Sequence, residues 1–337
     1  MVINRFIQSA KAKQSLITKH FMQVASHHQV SHAYLFSGEA GVGKLSVALT
    51  IAMRLFCPHV KSGYPCGHCN ECTRITNHQH PDILMIRPQG QRIRIHQIRF
   101  LRSEFTKSAV EGNLKIFIID KAEKMTVSAA NSLLKFIEEP QGNVICFLLT
   151  SNPALILPTI VSRTQVVKFP SLTPRIFNPE LREAGIDPDQ YNLIGTMTNN
   201  LTTAKQWNQN DGFGRLQNIV SDWFKALIHG NYIAFPNIQI QVMPLVHQPV
   251  DKEIIINMMI QIWCDVLDRK LMGLKRRKVK FPQVFNEIKW IASRIRVDRL
   301  LKIINLMLFN NVLFKQNVSF QHILEAATLK VLITLRS

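Results

Sequence analysis

A glycine-rich segment that begins at Gly38 has the composition of a phosphate-binding loop. It reads Gly38-Glu39-Ala40-Gly41-Val42-Gly43-Lys44-Leu45 and matches G-x-x-x-x-G-K-[ST] at every position except the last. In such loops backbone N–H groups surround phosphates at a helix N-terminus, and the lysine meets the β and γ phosphates. Gly38, Gly41, Gly43 and Lys44 are therefore candidates for binding ATP or ADP. A purely structural glycine turn is the alternative.

The last position of this motif lacks the group that holds a metal ion. Leu45 has no oxygen where a Ser or Thr normally ligates Mg²⁺. Ser46 follows it, about 100° further round a helix, and should point elsewhere. The loop is therefore expected to lack its usual magnesium ligand.

A second motif, residues 115–120, has the Walker B form, in which a buried strand delivers Asp120 beside the phosphate loop. In proteins with this motif that hydrolyse ATP, a glutamate follows that aspartate and orients the attacking water. Here Lys121 follows, and Glu123 lies too far along the chain to assume that it substitutes. Two parts of a phosphoryl-transfer site are thus altered, which favours a fold kept after turnover was lost over an unusual active ATPase.

Four cysteines have the spacing of metal ligands, with eight residues between the first two and two residues in each later gap. They are Cys57, Cys66, Cys69 and Cys72. Four thiolates suit a closed tetrahedral zinc site, which is structural because no coordination position stays open for a substrate. Buried free cysteines are the alternative, although the residues between them are those of a polar loop.

The remaining potential ligands are interpreted as non-ligating. Four sulfurs already fill a tetrahedral site, so the nearby histidines should be surface or loop residues. These are His59, His68, His78 and His80. Cys146 and Cys264 lie in apolar runs and are expected to be inert core residues.

Arg163 follows Ser162 just before the last predicted strand. An arginine there can reach a phosphate bound on a neighbouring subunit and stabilise the charge of phosphoryl transfer, the arginine-finger role. Taken alone, a surface salt bridge is the simpler interpretation.

Five short apolar runs are expected to position these residues. They cover 33–37, 84–86, 115–119, 144–149 and 166–169, and helical patterns alternate with them, among them one at 128–139 that Pro140 closes. Near-continuous apolar strands alternating with helices predict an α/β fold with a parallel sheet covered on both faces. After Pro170 amphipathic helical patterns dominate. We predict a nucleotide-binding-type domain at 1–171 with a four-cysteine module at 57–72, a small helical unit at 172–211 and an all-helical domain at 212–337.

The composition indicates a soluble, basic protein. Apolar residues make up 46% of the 337 residues, and the formal net charge is +19. That charge favours a polyanionic partner, either nucleic acid or an acidic membrane surface, with plain solubility as the alternative. No apolar run has the length of a signal peptide core or of a membrane span, so a cytoplasmic location is expected.

A run of cations between 269 and 280 lies in the predicted C-terminal helical domain. It contains Arg269, Lys270, Lys275, Arg276, Arg277, Lys278 and Lys280. The pattern favours a solvated face or loop over a set of phosphate contacts, and it assigns no DNA contact to these residues.

Taken together and in this order, the motifs resemble the AAA+ clamp-loader family of bacterial DNA polymerase III. The strong part of the resemblance covers residues 32–170. Besides the phosphate loop and the four cysteines, it rests on His32–Phe36, His80-Pro81-Asp82, Ile98-Arg99, Ala130–Lys135 with Glu138-Glu139-Pro140, and Ser162-Arg163. Thr164 stands where the family's Ser-Arg-Cys triplet has a cysteine.

The resemblance implies an AAA+ domain, a small helical lid and a C-terminal helical collar that joins subunits. It implies a hetero-pentamer with gamma/tau motor subunits and a delta subunit, which loads a sliding clamp on primed DNA. In that assembly the chain would be a non-hydrolysing stator, with Arg163 acting in trans on ATP held by a neighbour. No membrane partner is implied.

Three other functions are weighed. A gamma/tau-type motor shares the cysteine module and the fold, but Leu45 and Lys121 speak against it. A stand-alone P-loop ATPase on nucleic acid would need Mg²⁺-dependent turnover by the chain itself. A zinc-dependent DNA-binding module would bind DNA tightly as a monomer and leave a partner's ATPase unchanged.

Overall fold

The computed structural model describes residues 4–27, 29–105, 113–138, 142–209, 212–314 and 318–336. The chain divides into two compact units, residues 1–172 and 173–337. Within the described ranges the strands lie in the first unit and the second is built from helices. None of the helices in those ranges combines the length and the apolar content that crossing a bilayer requires.

The first unit is organised around the predicted parallel sheet. Its strands are β1 (Ala33–Ser37), β2 (Ile83–Ile86), β3 (Lys115–Asp120), β4 (Val144–Thr150) and β5 (Gln165–Lys168). They lie in the order β2-β3-β4-β1-β5, and all pairings are parallel. The α/β fold class is thereby confirmed. Because carboxyl ends of parallel strands share one edge of a sheet, the residues that follow β1, β3 and β4 are brought together there.

Helices connect these strands and cover the sheet. In the first unit they are α1 (Arg5–Lys13), α2 (Ser15–Ser26), α3 (Lys44–Phe56), α4 (Asn70–Thr76), α5 (Ile95–Phe105), α6 (Val127–Glu138) and α7 (Pro158–Val161). Helix α6 corresponds to the pattern predicted at 128–139. Glu139 and Pro140, which were expected to end it, lie outside the described residues.

Alternation of side chains along the strands separates two cores. Tyr34 and Phe36 point to one face of β1, where the ring of Tyr34 stacks on that of Phe147 with centroids 5.6 Å apart. Leu35 points to the other face and joins a cluster that includes Phe117 of β3 and Leu133 of α6. Both faces of the central strands are thus buried, which fixes the positions of their carboxyl ends.

The edge strand β5 differs from the expectation. Its residues are mostly exposed, and Val166 retains 44% of its accessible surface. The prediction of burial on both faces is therefore wrong for this strand. An edge strand has one neighbour, here β1, and is less covered than the strands at the centre of a sheet.

The second unit is a set of helices around a core rich in large side chains. Trp223 and Trp263 are almost fully buried, and the indole N–H of Trp223 donates to the hydroxyl of Thr328 (3.0 Å). Its helices are α8 (Pro174–Glu183), α9 (Tyr191–Met197), α10 (Leu201–Trp207), α11 (Gly212–Ile228), α12 (Pro249–Met272), α13 (Phe285–Arg294), α14 (Val297–Phe314) and α15 (Phe320–Arg336). The predicted division of this region at Asp211 falls on a residue outside the described ranges, and it stays a prediction.

Candidate functional site

The phosphate loop connects β1 to α3 with the backbone that its glycines allow. Gly41 and Gly43 have φ angles of 88° and 102°, in the left-handed region where other residues are strained. Gly43 caps the N-terminus of α3. At Gly38 an added Cβ would lie 2.5 Å from the carbonyl oxygen of Phe169, so no larger residue fits without a backbone shift. Strand, loop and helix thus follow in the order of a nucleotide-binding cradle.

The side chain of Lys44 folds back over this loop. Its ammonium donates hydrogen bonds to the carbonyl oxygens of Gly38 and Glu39, the latter at 2.7 Å. Burial lowers the pKa of Lys44, and the carboxylates of Glu123, Asp120 and Glu39 oppose that shift. The ammonium therefore lies among carboxylates and on the carbonyl groups of its own loop.

Helix α1 supports the loop from the side, a role that no sequence motif indicated. The Lys13 ammonium donates to the carbonyl oxygen of Gly41 (3.3 Å). The buried Gln14 amide donates to the carbonyl oxygens of Val42 and Pro170, both at 3.0 Å. These bonds fix two carbonyl groups of the phosphate loop and tie the loop to the residue that follows Phe169.

The expected loss of the magnesium ligand is consistent with the geometry around α3. The hydroxyl of Ser46 lies 3.1 Å from that of Ser9 in α1, so it points away from the loop as predicted. Leu45 offers no oxygen. At the first turn of α3, the one hydroxyl of these two residues is therefore engaged with α1.

Asp120 ends β3 beside the loop, as the Walker B pattern predicts. Its Oδ2 lies 3.8 Å from Nε of Arg87, a partly exposed ion pair. Lys121 is exposed and adopts a left-handed φ of 57°. The residue after the aspartate therefore presents a cation at the surface.

Glu123 reaches the site through a short 3-10 turn, residues 122–124, that sequence reasoning did not foresee. Its Oε1 accepts a hydrogen bond from the hydroxyl of Ser151 at 2.6 Å. Its Oε2 is buried and has no hydrogen-bond partner among the described residues. Since Glu123 is also the carboxylate that acts most strongly on Lys44, the site retains a carboxylate, displaced by two positions from the expected one.

Arg163 lies between α7 and β5, and its side chain is partly exposed. Its Nε contacts Oε1 of Glu138 at 2.5 Å, and its Nη1 donates to the carbonyl oxygen of Thr159 (3.1 Å). The surface salt bridge considered from sequence is therefore present within the chain. Thr164, which replaces a cysteine of the family pattern, donates to the carbonyl oxygen of Ile160 (3.0 Å) and closes the end of α7.

The four cysteines converge as predicted. Cys57 follows α3, Cys66 and Cys69 lie in the next loop, and Cys72 lies in α4. Their Sγ atoms all lie within 4.8 Å of one another, and those of Cys57 and Cys69 are 3.9 Å apart. Four sulfurs at about 2.3 Å from a tetrahedral ion would be roughly 3.8 Å apart, so the cluster fits a metal ion.

Backbone N–H groups in this loop point at the sulfurs. The N–H of Cys66 donates to Sγ of Cys57, and that of Cys69 donates to Sγ of Cys66, each at 3.3 Å. Burial raises the pKa of the Cys66 thiol, but backbone hydrogen bonds from His68 and Cys69 outweigh it and lower that pKa to about 6. At Cys66 these hydrogen bonds favour the thiolate form that binds metals, whereas burial raises the pKa of the Cys69 and Cys72 thiols.

The histidines near this cluster make other contacts. His68 is exposed, and its Nδ1 lies 2.9 Å from the carbonyl oxygen of Cys66. His80 lies in the loop between α4 and β2, one of the two predicted alternatives, but it is not a surface residue. It is 4% exposed, its Nε2 lies 2.9 Å from Oε2 of Glu71, and its Nδ1 accepts the N–H of Asp82. His80 thus joins α4 to the turn that precedes β2.

Comparisons with known proteins find relatives among subunits of DNA polymerase III. A family profile described as "DNA polymerase III, delta subunit" matches residues 13–173. DNA polymerase III subunit delta' of Bacillus subtilis is 37% identical over 262 residues, which cover 77% of this chain and 78% of that protein.

Two further proteins are less similar. DNA polymerase III subunit tau of the same organism is 31% identical over 62% of this chain and 37% of its own length. A solved structure of a gamma subunit-related protein from Thermotoga maritima is 17% identical, with a TM-score of 0.40 over 92% of this chain and 99% of that one. With a delta' relative matched over more than two thirds of both lengths, the chain belongs to the DNA polymerase III delta-prime subunit family.

Proposed function

We propose that this chain is a non-hydrolysing subunit of a clamp loader, and that it supplies Arg163 to ATP bound on a neighbouring subunit. The observation that carries the proposal is the pairing of a defective site with an available arginine. Leu45 and Lys121 stand where phosphoryl transfer needs oxygen ligands, while Arg163 is partly exposed and held by an exposed carboxylate.

The proposed partners are gamma/tau motor subunits and a delta subunit in a hetero-pentamer, together with the sliding clamp and primed DNA. Family membership supports this, and so do exposed apolar side chains on α14 and α15, since such side chains in neighbouring helices favour burial by another subunit. They include Leu301, Leu308, Phe309, Leu329 and Ile333. We also propose that 172–211 is a lid and 212–337 the collar that assembles.

Gly38, Gly41, Gly43 and Lys44 would hold the phosphates of ATP or ADP in the loop, with Asp120 nearby. Lys44 would have to leave the carbonyl groups of Gly38 and Glu39 to do so. We assign no chemical step to this nucleotide.

We propose that the ion held by the four cysteines is structural Zn²⁺. An all-thiolate tetrahedral set is typical of closed zinc sites, where the ion stabilises the fold and takes no part in chemistry. Elemental analysis of freshly purified protein should give about one zinc per chain. A content below about half an equivalent would contradict the four-thiolate site.

The decisive experiment is the DNA- and clamp-stimulated ATPase of a reconstituted loader. Arg163→Ala should slow it strongly, because an arginine finger contributes roughly 10³ to 10⁵ in rate in small GTPases, although other sites in the assembly keep their own fingers. Arg175→Ala removes an exposed arginine elsewhere and should change nothing. The isolated chain should not turn over ATP. An unchanged rate with Arg163→Ala would refute the arginine role.

A second candidate, a gamma/tau-type motor or a stand-alone P-loop ATPase, is favoured by one observation. Glu123 lies close enough to act on Lys44 and is oriented by Ser151, as a water-positioning carboxylate would be. This function requires Mg²⁺-dependent turnover by the isolated chain, and Glu123→Gln should then abolish it. Absence of ATP turnover by the isolated wild-type chain would exclude this second candidate.

A further inference from the structure

The basic stretch between Arg269 and Lys280 divides into two groups of cations. Three of them bind within the second unit. Arg269 donates to the carbonyl oxygens of Gly273 (3.0 Å) and Leu274 (2.9 Å), and Lys270 donates to that of Ala292 (2.9 Å). Lys280 forms an ion pair with the fully buried Asp265 (3.0 Å). These three cations therefore hold the local structure together.

The other four cations face solvent. Lys275, Arg276, Arg277 and Lys278 are consecutive and all exposed, and the last three form a 3-10 turn. Within the described part of the chain no carboxylate pairs with any of them. We call residues 275–278 the basic loop.

The C-terminal end of the basic loop and the segment that follows it are held by hydrogen bonds. The amide of Asn192 in α9 donates to the carbonyl oxygens of Arg277 and Val279, both at 3.0 Å. Val279 itself is 1% exposed. The backbone N–H groups of Lys280 and Phe281 donate to Oδ2 of Asp265, at 2.7 and 3.0 Å. These contacts hold the C-terminal end of the basic loop and the residues that follow it in one place.

Four adjacent cations without carboxylate partners repel one another, and a polyanion relieves that repulsion when it displaces the loop's counterions. Residues 275–278 carry no apolar or aromatic side chain that a protein partner could bury. The whole chain has a net charge of +19, so a long polyanion would meet further positive charge. These features favour the phosphate backbone of a nucleic acid over an acidic peptide.

We propose that the basic loop is a nucleic-acid contact that binds phosphates without reading base sequence. The basic loop lies in the second unit, about 230 residues after the phosphate loop in sequence. The proposal does not depend on the role of Arg163. Phosphates of a duplex or of a single strand would offer the same chemistry, so both are tested.

The test measures binding of the full chain to labelled duplex and single-stranded DNA over a range of salt concentrations. The variant is K275Q/R276Q/R277Q/K278Q. The matched control, K205Q/K289Q/K302Q/K330Q, removes the same charge from four exposed lysines spread over the same unit. Because all eight side chains are exposed, thermal unfolding and metal content should be unchanged in both variants.

We expect the loop variant to lose at least about tenfold in affinity for one or both DNA forms, and the slope of log affinity against log salt to fall in magnitude by about 2 to 4. The control should change much less. Equal affinities and slopes in the two variants would overturn the proposal. Retained DNA binding with loss of binding to poly-glutamate would also overturn it, and would assign the loop to an acidic protein.

Discussion

At the scale of single residues, Glu138 would compete with a phosphate on a neighbouring subunit for the side chain of Arg163. Its contact with Glu138 is short, but both side chains are about two-fifths exposed. Exposed ion pairs contribute only about 0–1 kcal/mol, because water and salt screen them. A phosphate on a neighbouring subunit could therefore draw the arginine away at little cost.

Glu138→Gln should raise the stimulated ATPase of the reconstituted loader, by up to about fivefold if the competing pair contributes near the upper end of that range. The effect should vanish in the Arg163→Ala background. Glu183→Gln, which changes an exposed carboxylate in the second unit, serves as the control. A fall to the rate of Arg163→Ala would mean instead that Glu138 holds the arginine in its working position.

The motifs indicated the candidate phosphate and metal ligands, but not the residues that support them. Gly43, Lys44 and the four cysteines could be identified because their spacing follows from chemistry that is local in sequence. Gln14 could not, since it follows a preceding helix. Glu123 is set aside by sequence reasoning as too far along the chain, because spacing does not show the 3-10 turn that brings it to the site. Contacts of this kind depend on packing between elements, which spacing does not encode.

At the scale of elements, the five strands were predictable because continuous apolar runs are buried in a parallel sheet. The exposure of β5 was not, because a run such as Val166–Val167 reads the same at an edge as at the centre. The order of strands decides which run becomes an edge. That order arises from pairing between distant segments.

The contact between α12 and the segment that follows the basic loop depends on one buried carboxylate. Burial raises the pKa of Asp265, and the ammonium of Lys280 opposes that shift. Asp265→Ala leaves the largely buried Lys280 with only the more distant Asp268, and it removes the acceptor of the Lys280 and Phe281 N–H groups. This should cost about 3 to 5 kcal/mol of the free energy of unfolding.

Urea denaturation of the full chain measures this loss. Asp268→Ala is the matched control, because Asp268 lies further from Lys280 (3.5 Å) and is 31% exposed. The control should cost less than about 1 kcal/mol. Equal losses for the two variants would show that burial of Asp265 is not what makes the pair important.

At the scale of the whole first unit, α1 connects the two sites. We call residues 57–69, between α3 and α4, the cysteine loop. The capping residue of α1, Asn4, donates to the carbonyl oxygen of Gly67 in this loop (3.4 Å), and Lys11 lies 3.7 Å above the ring of Tyr64. At its other end Lys13 and Gln14 bond to the phosphate loop. The cysteine loop and the phosphate loop are thus linked through a single helix.

Removal of a metal ion from the four cysteines should therefore also loosen the phosphate loop. We expect a chelator to increase hydrogen exchange in residues 66–72 and also in α1 and residues 41–44, because α1 loses a supporting surface. Exchange in α12 of the second unit serves as the internal control. Faster exchange confined to residues 66–72 would show that α1 does not transmit the loss.

The position of α1 also bears on the order in which the chain folds during synthesis. A helix of nine residues is marginal in water by itself, since isolated helices need about 12 to 15 residues. The partners of α1 and of the residues that flank it include carbonyl groups of residues 41, 42 and 67, all of which leave the ribosome later. Helix α1 is synthesised before every strand of the sheet. We nevertheless expect it to dock only after the phosphate loop and the cysteine loop have formed.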